Sequence, residues 1–390
     1  MTELAGTDVV WDVLVVGSGP GGAAAAIGAR HADPTASVLM LDRAEFPRDK
    51  TCGDAVLGTA FERLAEYGVD TATLTAGFGP EHHLRLTSAG GTTVARPLTD
   101  SMTVLPRRVF DARLRDAALA AGAQSQHRTV RAVRDVGTHV EVDAGGPKPL
   151  QAKVIIGADG AESVVRRAVG GRDRRQVAIA LRGYDVGTDD HTSRMVLDDR
   201  RGLAYAWRFP SDDGRANVGY GHLLRDGQVS SRSALAASMH RLLPGLDVDE
   251  ATMRAARLPL STSRQAVAAA RILLVGDAAS LVNPLTGEGI YYAIHSGLLA
   301  GTAAVEPATA APRYRREMAT TFGRHHRHVA VMSALSGRAV LLEAGLRSAA
   351  ADQRVFDDIA ALALSRGGIT ARVGRGIVTQ LIRPRGADSS

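Results

Sequence analysis

Val13-Leu14-Val15-Val16-Gly17-Ser18-Gly19-Pro20-Gly21-Gly22-Ala23-Ala24-Ala25-Ala26 carries three signals in succession. The apolar, mostly β-branched run 13–16 predicts a buried parallel strand. A glycine turn follows, and the alanines after it predict a helix. Gly17, Gly19 and Gly22 fit G-x-G-x-x-G. In that pattern the first glycine allows the tight turn, the second lets the backbone approach a pyrophosphate, and the third lets helix and strand pack closely. The helix N-terminus then offers free N–H groups and a positive dipole end to phosphates. A second apolar run, Ser37-Val38-Leu39-Met40-Leu41, ends in Asp42, at the spacing expected for a carboxylate on a ribose hydroxyl. Strand, turn, helix and acid together predict a Rossmann-type dinucleotide unit.

The rest of the chain sets bounds. Its 390 residues allow two or three domains, or one core with a large insertion. No run of about 18 apolar residues predicts a spanning helix, and residues 1–11 do not read as a signal peptide. Cys52 is the single cysteine, which excludes an internal disulfide and a cysteine-rich metal cluster, so no metal site is expected. A cytoplasmic protein follows. The net charge is +6 and the pI about 9.8. From residue 301 onward there are 13 Arg against 7 Asp plus Glu. That excess favours peripheral contact with an anionic membrane surface. Nucleic acid is not an expected partner, because no binding motif or aromatic interleaving accompanies the charge.

Further elements are expected along the chain. Residues 45–54 read as a loop, 57–67 as an amphipathic helix and 83–96 as strands around a glycine turn. A helix is expected from Arg107 to about Ala121, and strands at 127–133, 138–143 and 152–157. Residues 176–185 and 194–220 read as antiparallel sheet, 231–243 as helix, 271–275 as strand and 289–304 as helix. Residues 311–366 and 368–382 are helical by pattern, and 384–390 read as a disordered tail. Because strand signals return at 152–157 and 271–275, the dinucleotide unit is discontinuous. The expected fold class is α/β, or α+β overall, and the expected division has three parts. A dinucleotide domain takes 1–75, 101–175 and 265–310. An antiparallel-sheet substrate domain takes 76–100 and 176–264, and a helical C-terminal region takes 311–390.

Three separated stretches sharpen the first motif. They are the glycine turn, Gly157-Ala158-Asp159-Gly160, and Gly276-Asp277-Ala278-Ala279-Ser280-Leu281-Val282-Asn283-Pro284-Leu285-Thr286-Gly287-Glu288-Gly289-Ile290. Together, over roughly residues 11–300, they resemble the para-hydroxybenzoate-hydroxylase-like FAD-dependent oxidoreductases. The resemblance implies noncovalent FAD, with Asp277 on the ribityl chain. It also implies that the backbone of 287–290 lies against the flavin pyrimidine, where a helix N-terminus stabilises negative charge. Asp159-Gly160 matches a motif that supports the FAD fold and is tied to pyridine nucleotide use. Arg107 matches the arginine of an Arg-x-x-Phe-Asp helix start that reaches the cofactor. The expected cofactor-binding set is Gly17, Gly19, Pro20, Gly22, Asp42, Arg43, Arg107, Asp159, Gly276, Asp277, Gly287, Gly289 and Ile290.

Two more stretches resemble the geranylgeranyl reductase branch of that superfamily. Phe46-Pro47-Arg48-Asp49-Lys50-Thr51-Cys52-Gly53 is similar to its Pro-Arg-x-Lys-x-Cys-Gly segment, and Tyr205-Ala206-Trp207-Arg208-Phe209-Pro210 to its Tyr-x-Trp-x-Phe-Pro. The sequence departs from the branch at Asp54, where many members have another glycine, and in a smaller C-terminal region. The resemblance implies saturation of C=C bonds in a lipophilic, prenylated substrate by hydride from flavin N5 plus a proton. An aromatic content of 4% fits an aliphatic pocket. Cys52, Tyr205 and Trp207 are the expected catalytic residues. Cys52, Asp54, Tyr205 and His295 are donor candidates by type, Cys52 first. The electron donor is NADPH or a ferredoxin. The main alternative is an FAD monooxygenase of a terpenoid or other secondary metabolite. A flavin halogenase is disfavoured, since Tyr205 replaces the first tryptophan of the halogenase segment and no catalytic lysine region matches.

Overall fold

The structure, a computed structural model, describes residues 9–170, 176–187, 191–198, 203–224, 229–263 and 265–382. The first unit is β1 (Val10–Val16), α1 (Pro20–Ala32) and β2 (Val38–Asp42). Then come β3 (Ala55–Leu57), α2 (Gly58–Ala65), α3 (Thr71–Thr75), β4 (Glu81–Thr87) and β5 (Thr93–Val104). The segment that follows holds α4 (Arg107–Ala120), β6 (Gln124–His127), β7 (Ala132–Asp135), β8 (Val140–Asp143), β9 (Leu150–Gly157) and α5 (Val165–Val169). The large insertion is β10 (Val177–Asp185), β11 (Arg194–Asp198), β12 (Ala204–Pro210), β13 (Ala216–Leu223), α6 (Arg232–Leu242) and β14 (Val248–Pro259). β15 (Ala268–Ala269) and β16 (Ile272–Leu274) precede α7 (Ile290–Ala304). The last described elements are α8 (Ala310–Ser336), α9 (Ala339–Ala351), α10 (Gln353–Leu364) and α11 (Ala371–Ile382).

The first sheet runs β15-β16-β9-β1-β2-β6, with β8 paired to β9 and β7 to β8. β1 lies parallel between β2 and β9, so Val16, Leu41 and Gly157 end side by side. Residues 13–16 are buried on both faces, which is why their run is continuously apolar. The discontinuous assembly from 10–16, 150–157 and 272–274 is present. The single strand expected at 127–133 is instead two. Gln124–His127 pairs in parallel with β2, whereas Ala132–Asp135 pairs antiparallel with β8, and the chain must turn between them.

The second sheet runs β14-β10-β13-β12-β11-β4-β5-β3 and is antiparallel except where β11 meets β4. Ala55, Val56 and Leu57 pair with Val104, Thr103 and Met102. Residues 55–57 and 101–104, placed by sequence with the dinucleotide unit, therefore hydrogen-bond in the second sheet. Pairing buries Val56 and Leu57, which a loop would have left wet. Along β12 the faces alternate. Ala204 and Ala206 pack into a core with Leu235 and Met239 of α6, while Tyr205, Trp207 and Phe209 face the other way, toward a cavity.

α1 and α7 pack against each other. A Cβ on Gly297 would overlap the Gly21 carbonyl oxygen, and one on Gly301 would overlap that of Ala25. The helices therefore touch backbone to backbone, which sets their N-termini together. The helical stretch expected at 311–366 is three helices, broken at Gly337 and Asp352; Asp352 caps α10 through Arg354 N–H at 2.8 Å. The tail at 384–390 lies outside the described residues. Among the described residues no single helix is long and apolar enough to cross a membrane.

Candidate active site

The C-terminal ends of β1, β2, β9 and β16 open onto a cavity of about 340 Å³, the usual ligand position in such sheets. Gly17 sits at φ +99°, left-handed backbone open to glycine. A Cβ on Gly22 would overlap the Gly17 carbonyl, so the third glycine holds helix to turn. Gly19 and Pro20 line the cavity, and α1 begins without a side-chain cap, leaving its positive end toward the space. Arg43, Arg48, Lys50 and Arg107 also line it. Four cations and an uncapped helix N-terminus fit the diphosphate of FAD.

The acids here are braced by the protein. Asp42 accepts Ser18 N–H at 2.7 Å and Ala44 N–H at 2.9 Å, fixing the turn while lining the cavity. Asp159 accepts the Ser163 hydroxyl at 2.5 Å and Val164 N–H at 2.7 Å, so it shapes the turn into α5. Asp277 pairs with Lys50 Nζ at 3.1 Å. Arg107 is buried and makes two bonds to Asp111, at 2.7 and 2.8 Å, and Arg48 reaches the same carboxylate at 2.7 Å. Gly276, at φ +55°, packs against Ala293 at the start of the Asp277 loop.

A larger cavity of about 660 Å³ shares Pro20, Arg43, Lys50, Arg107, Asp159 and Asp277 with the first. Its far end is lined mostly by apolar groups, among them Leu84, Met102, Met195, Trp207, Phe209 and Leu258. Gly287, Glu288, Gly289 and Ile290, at the start of α7, form one wall. Gly287 has φ +70°, and a Cβ there would stand 3.1 Å from the Tyr205 hydroxyl, which donates to the Thr286 carbonyl. Cys52 and Tyr205 line the same cavity, Tyr205 against the 286–287 loop, with the Tyr205 and Trp207 rings 5.9 Å apart. Burial pushes the Cys52 thiol up, against the pull of the neighbouring Arg107 guanidinium.

Behind that wall lies a polar network. Trp207 Nε1–H donates to Asn217 Oδ1 at 2.8 Å; Asn217 Nδ2 donates to the Cys52 carbonyl at 2.9 Å and to Asp54 Oδ2 at 2.8 Å. Tyr184 donates to the same Asp54 oxygen at 2.6 Å. Arg182 donates to Asp49 at 2.7 Å and the Lys50 carbonyl at 3.0 Å. The 48–54 loop is thus bonded to the second sheet. Burial raises Asp54 to about 6, with Arg182 opposing.

The structure thus brings the three catalytic expectations to the larger cavity together with Gly287, Gly289 and Ile290, and sets Gly19, Pro20, Asp42, Arg43, Arg107, Asp159, Gly276 and Asp277 around the smaller one, while Gly17 and Gly22 shape the turn without lining either. Asp54 and His295 do not line either cavity. His295 packs on Tyr291 and Phe322, and burial lowers it to about 4. Sequence reasoning assigned no side-chain role to Glu288, which faces the larger cavity. Its place inside a glycine motif points to the backbone alone.

The sequence matches the FAD binding domain family over residues 10–310. It is 33% identical to a menaquinone reductase of Mycolicibacterium smegmatis, over 74% of this chain and 75% of that one. It is 30% identical to a digeranylgeranylglycerophospholipid reductase of Methanosarcina acetivorans, over 76% and 75%. The fold matches a geranylgeranyl bacteriochlorophyll reductase-like protein of Thermoplasma acidophilum with a TM-score of 0.77 at 21% identity, over 95% of this chain and 96% of that one. With the glycine turn, the Asp277 loop and the Cys52 segment converging on one cleft, the chain belongs to the geranylgeranyl reductase family of FAD-dependent oxidoreductases.

Proposed function

We propose that this protein saturates isolated C=C bonds in the isoprenoid chain of a prenylated quinone or lipid. The apolar cavity of about 660 Å³ carries the reading, because it runs from the flavin-motif loop past Cys52 to Trp207 and Phe209. The substrates named for the menaquinone and digeranylgeranylglycerophospholipid reductases support it, since both bear such chains. Bound FAD, when reduced, supplies a hydride. Gly17, Gly19, Gly22 and Asp42 would hold its dinucleotide end, Arg107 and Asp277 its middle, and the backbone of 287–290 its ring. Cys52, Tyr205 and Trp207 align the alkene, and the apolar wall excludes water.

NADPH or a ferredoxin supplies the electrons, and the arginine-rich C-terminal part favours peripheral contact with an anionic membrane. The test is incubation of enzyme and menaquinone with each donor, in detergent and in anionic vesicles, under nitrogen and under air. The expected product is heavier by about 2 Da in both atmospheres. A product heavier by about 16 Da, formed only in air, would make the protein a monooxygenase.

A further inference from the structure

Saturating an alkene takes a proton as well as a hydride, and most acids near the cavity are committed elsewhere. The Asp54 carboxylate is turned behind the wall onto Tyr184 and Asn217. Tyr205 donates its proton to the Thr286 carbonyl. The Cys52 thiol is pushed up by burial, with the Arg107 guanidinium beside it opposing. Asp277 is paired with Lys50, and Asp159 caps the turn into α5. Glu288 differs from all of these. One oxygen, Oε1, accepts Tyr291 N–H at 2.7 Å, which fixes the side chain at the helix start. Glu288, like Glu162, lines the larger cavity and not the smaller, charged one, and it alone of the two sits in the flavin-motif loop at the start of α7.

We infer that Glu288 is the acid that protonates the alkene, an assignment that rests on the reductase reading above. The hydride, with its two electrons, goes to one alkene carbon and leaves the flavin oxidised. The Glu288 O–H bond breaks, a C–H bond forms at the other alkene carbon, and the O–H electron pair stays on the carboxylate. Solvent returns the proton after product leaves. Burial raises Glu288 to about 7, so the acid form is populated at neutral pH. Against burial, the backbone N–H groups of Tyr291 and Ile290 pull it down; beyond them Asp100 of β5 pushes it up and Arg107 of α4 pulls it down. Tyr205 of β12 and Tyr292 of α7 complete the surroundings, and both phenols are raised far above neutrality by burial.

The experiment is Glu288→Gln in the FAD-loaded enzyme, since glutamine keeps the acceptor for Tyr291. FAD content and quenching of tryptophan fluorescence by menaquinone should match the wild type. Infrared titration should show a carboxylic acid deprotonating near pH 7 in the wild type and missing from the variant. Under nitrogen, the dithionite-reduced variant should saturate menaquinone about a hundredfold more slowly or worse. The wild-type rate should fall above pH 7, and the variant's should stay flat. A variant with the wild-type rate and pH profile overturns the assignment and leaves the reductase reading standing. A wild type that saturates no prenyl chain overturns both. If Glu288→Gln does not hold flavin, Glu288→Asp is read instead. Its shorter acid should slow turnover and shift the pH limb, and an unchanged limb overturns the assignment.

Discussion

Asp54 has φ +61°, in the left-handed region, and its side chain is fully buried. Aspartate tolerates that backbone better than most residues, and glycine, which many family members carry there, tolerates it best. Sequence alone flags the departure but not its cause, because φ is not written in residue type. The carboxyl is raised to about 6 by burial, from an ordinary value of 3.8. The fold therefore prefers the protonated form. Its stabilising preference is complete below pH 4 and lost as pH rises through 6. Asp54→Asn keeps the backbone conformation and an oxygen acceptor for Tyr184 and Asn217. It should stabilise the protein at pH 8 by on the order of 3 kcal/mol and leave it unchanged at pH 4. Urea unfolding at the two pH values checks this, and equal effects at both would show that Asp54 is not held neutral. Glu288 is hidden in the sequence in the same way, because the glycines around it point to the main chain.

The helices read well from sequence, but their partners do not. The alanine run after the glycine turn identifies α1, and the 289–304 pattern identifies α7. Nothing local says that Gly297 and Gly301 meet Gly21 and Ala25, more than 270 residues earlier. Likewise β3 is only three residues, too short for a period of two to register, and β5 alone defines it. The seam makes a prediction that separates packing glycines from idle ones. Gly301→Val must force α7 away from α1. It should cost about 3 kcal/mol or more and lower FAD retention, since the flavin-facing loop begins α7. Gly345→Ala in α9 meets nothing within 4 Å. It should instead raise stability by roughly 0.5–1 kcal/mol through helix propensity. Thermal unfolding and flavin content after dialysis measure both, and similar losses in the two variants would rule out the close-packed seam.

At the scale of the molecule, motifs far apart in sequence identify the cofactor half, because FAD demands fixed chemistry at fixed places. The C-terminal helices carry no such signature. They are tied to the flavin loop mainly through main-chain carbonyls, which any sequence supplies. Thr286 Oγ1 donates to the Ala363 carbonyl at 2.6 Å, and Asn283 Nδ2 donates to that of Leu362 at 3.3 Å. Leu364, between these ties and Ser365, forms part of the larger cavity's wall. His325 Nδ1 lies 2.8 Å from the Gly367 carbonyl, and a carbonyl can only accept. The ring, kept neutral by burial, therefore carries its proton on Nδ1 and accepts the Tyr292 hydroxyl at Nε2, 2.7 Å away. The same hydroxyl lies 2.9 Å from the Ser365 carbonyl. Tyr292→Phe removes the shared donor and leaves buried acceptors unpaired. It should cost about 1–3 kcal/mol and speed amide hydrogen exchange across 362–369. Exchange near Gly17 to Gly22 should not change, because no tie reaches that turn. If the exchange rates of 362–369 stay at wild-type values, the segment is held by apolar packing alone and these hydrogen bonds have no role in closing the cavity.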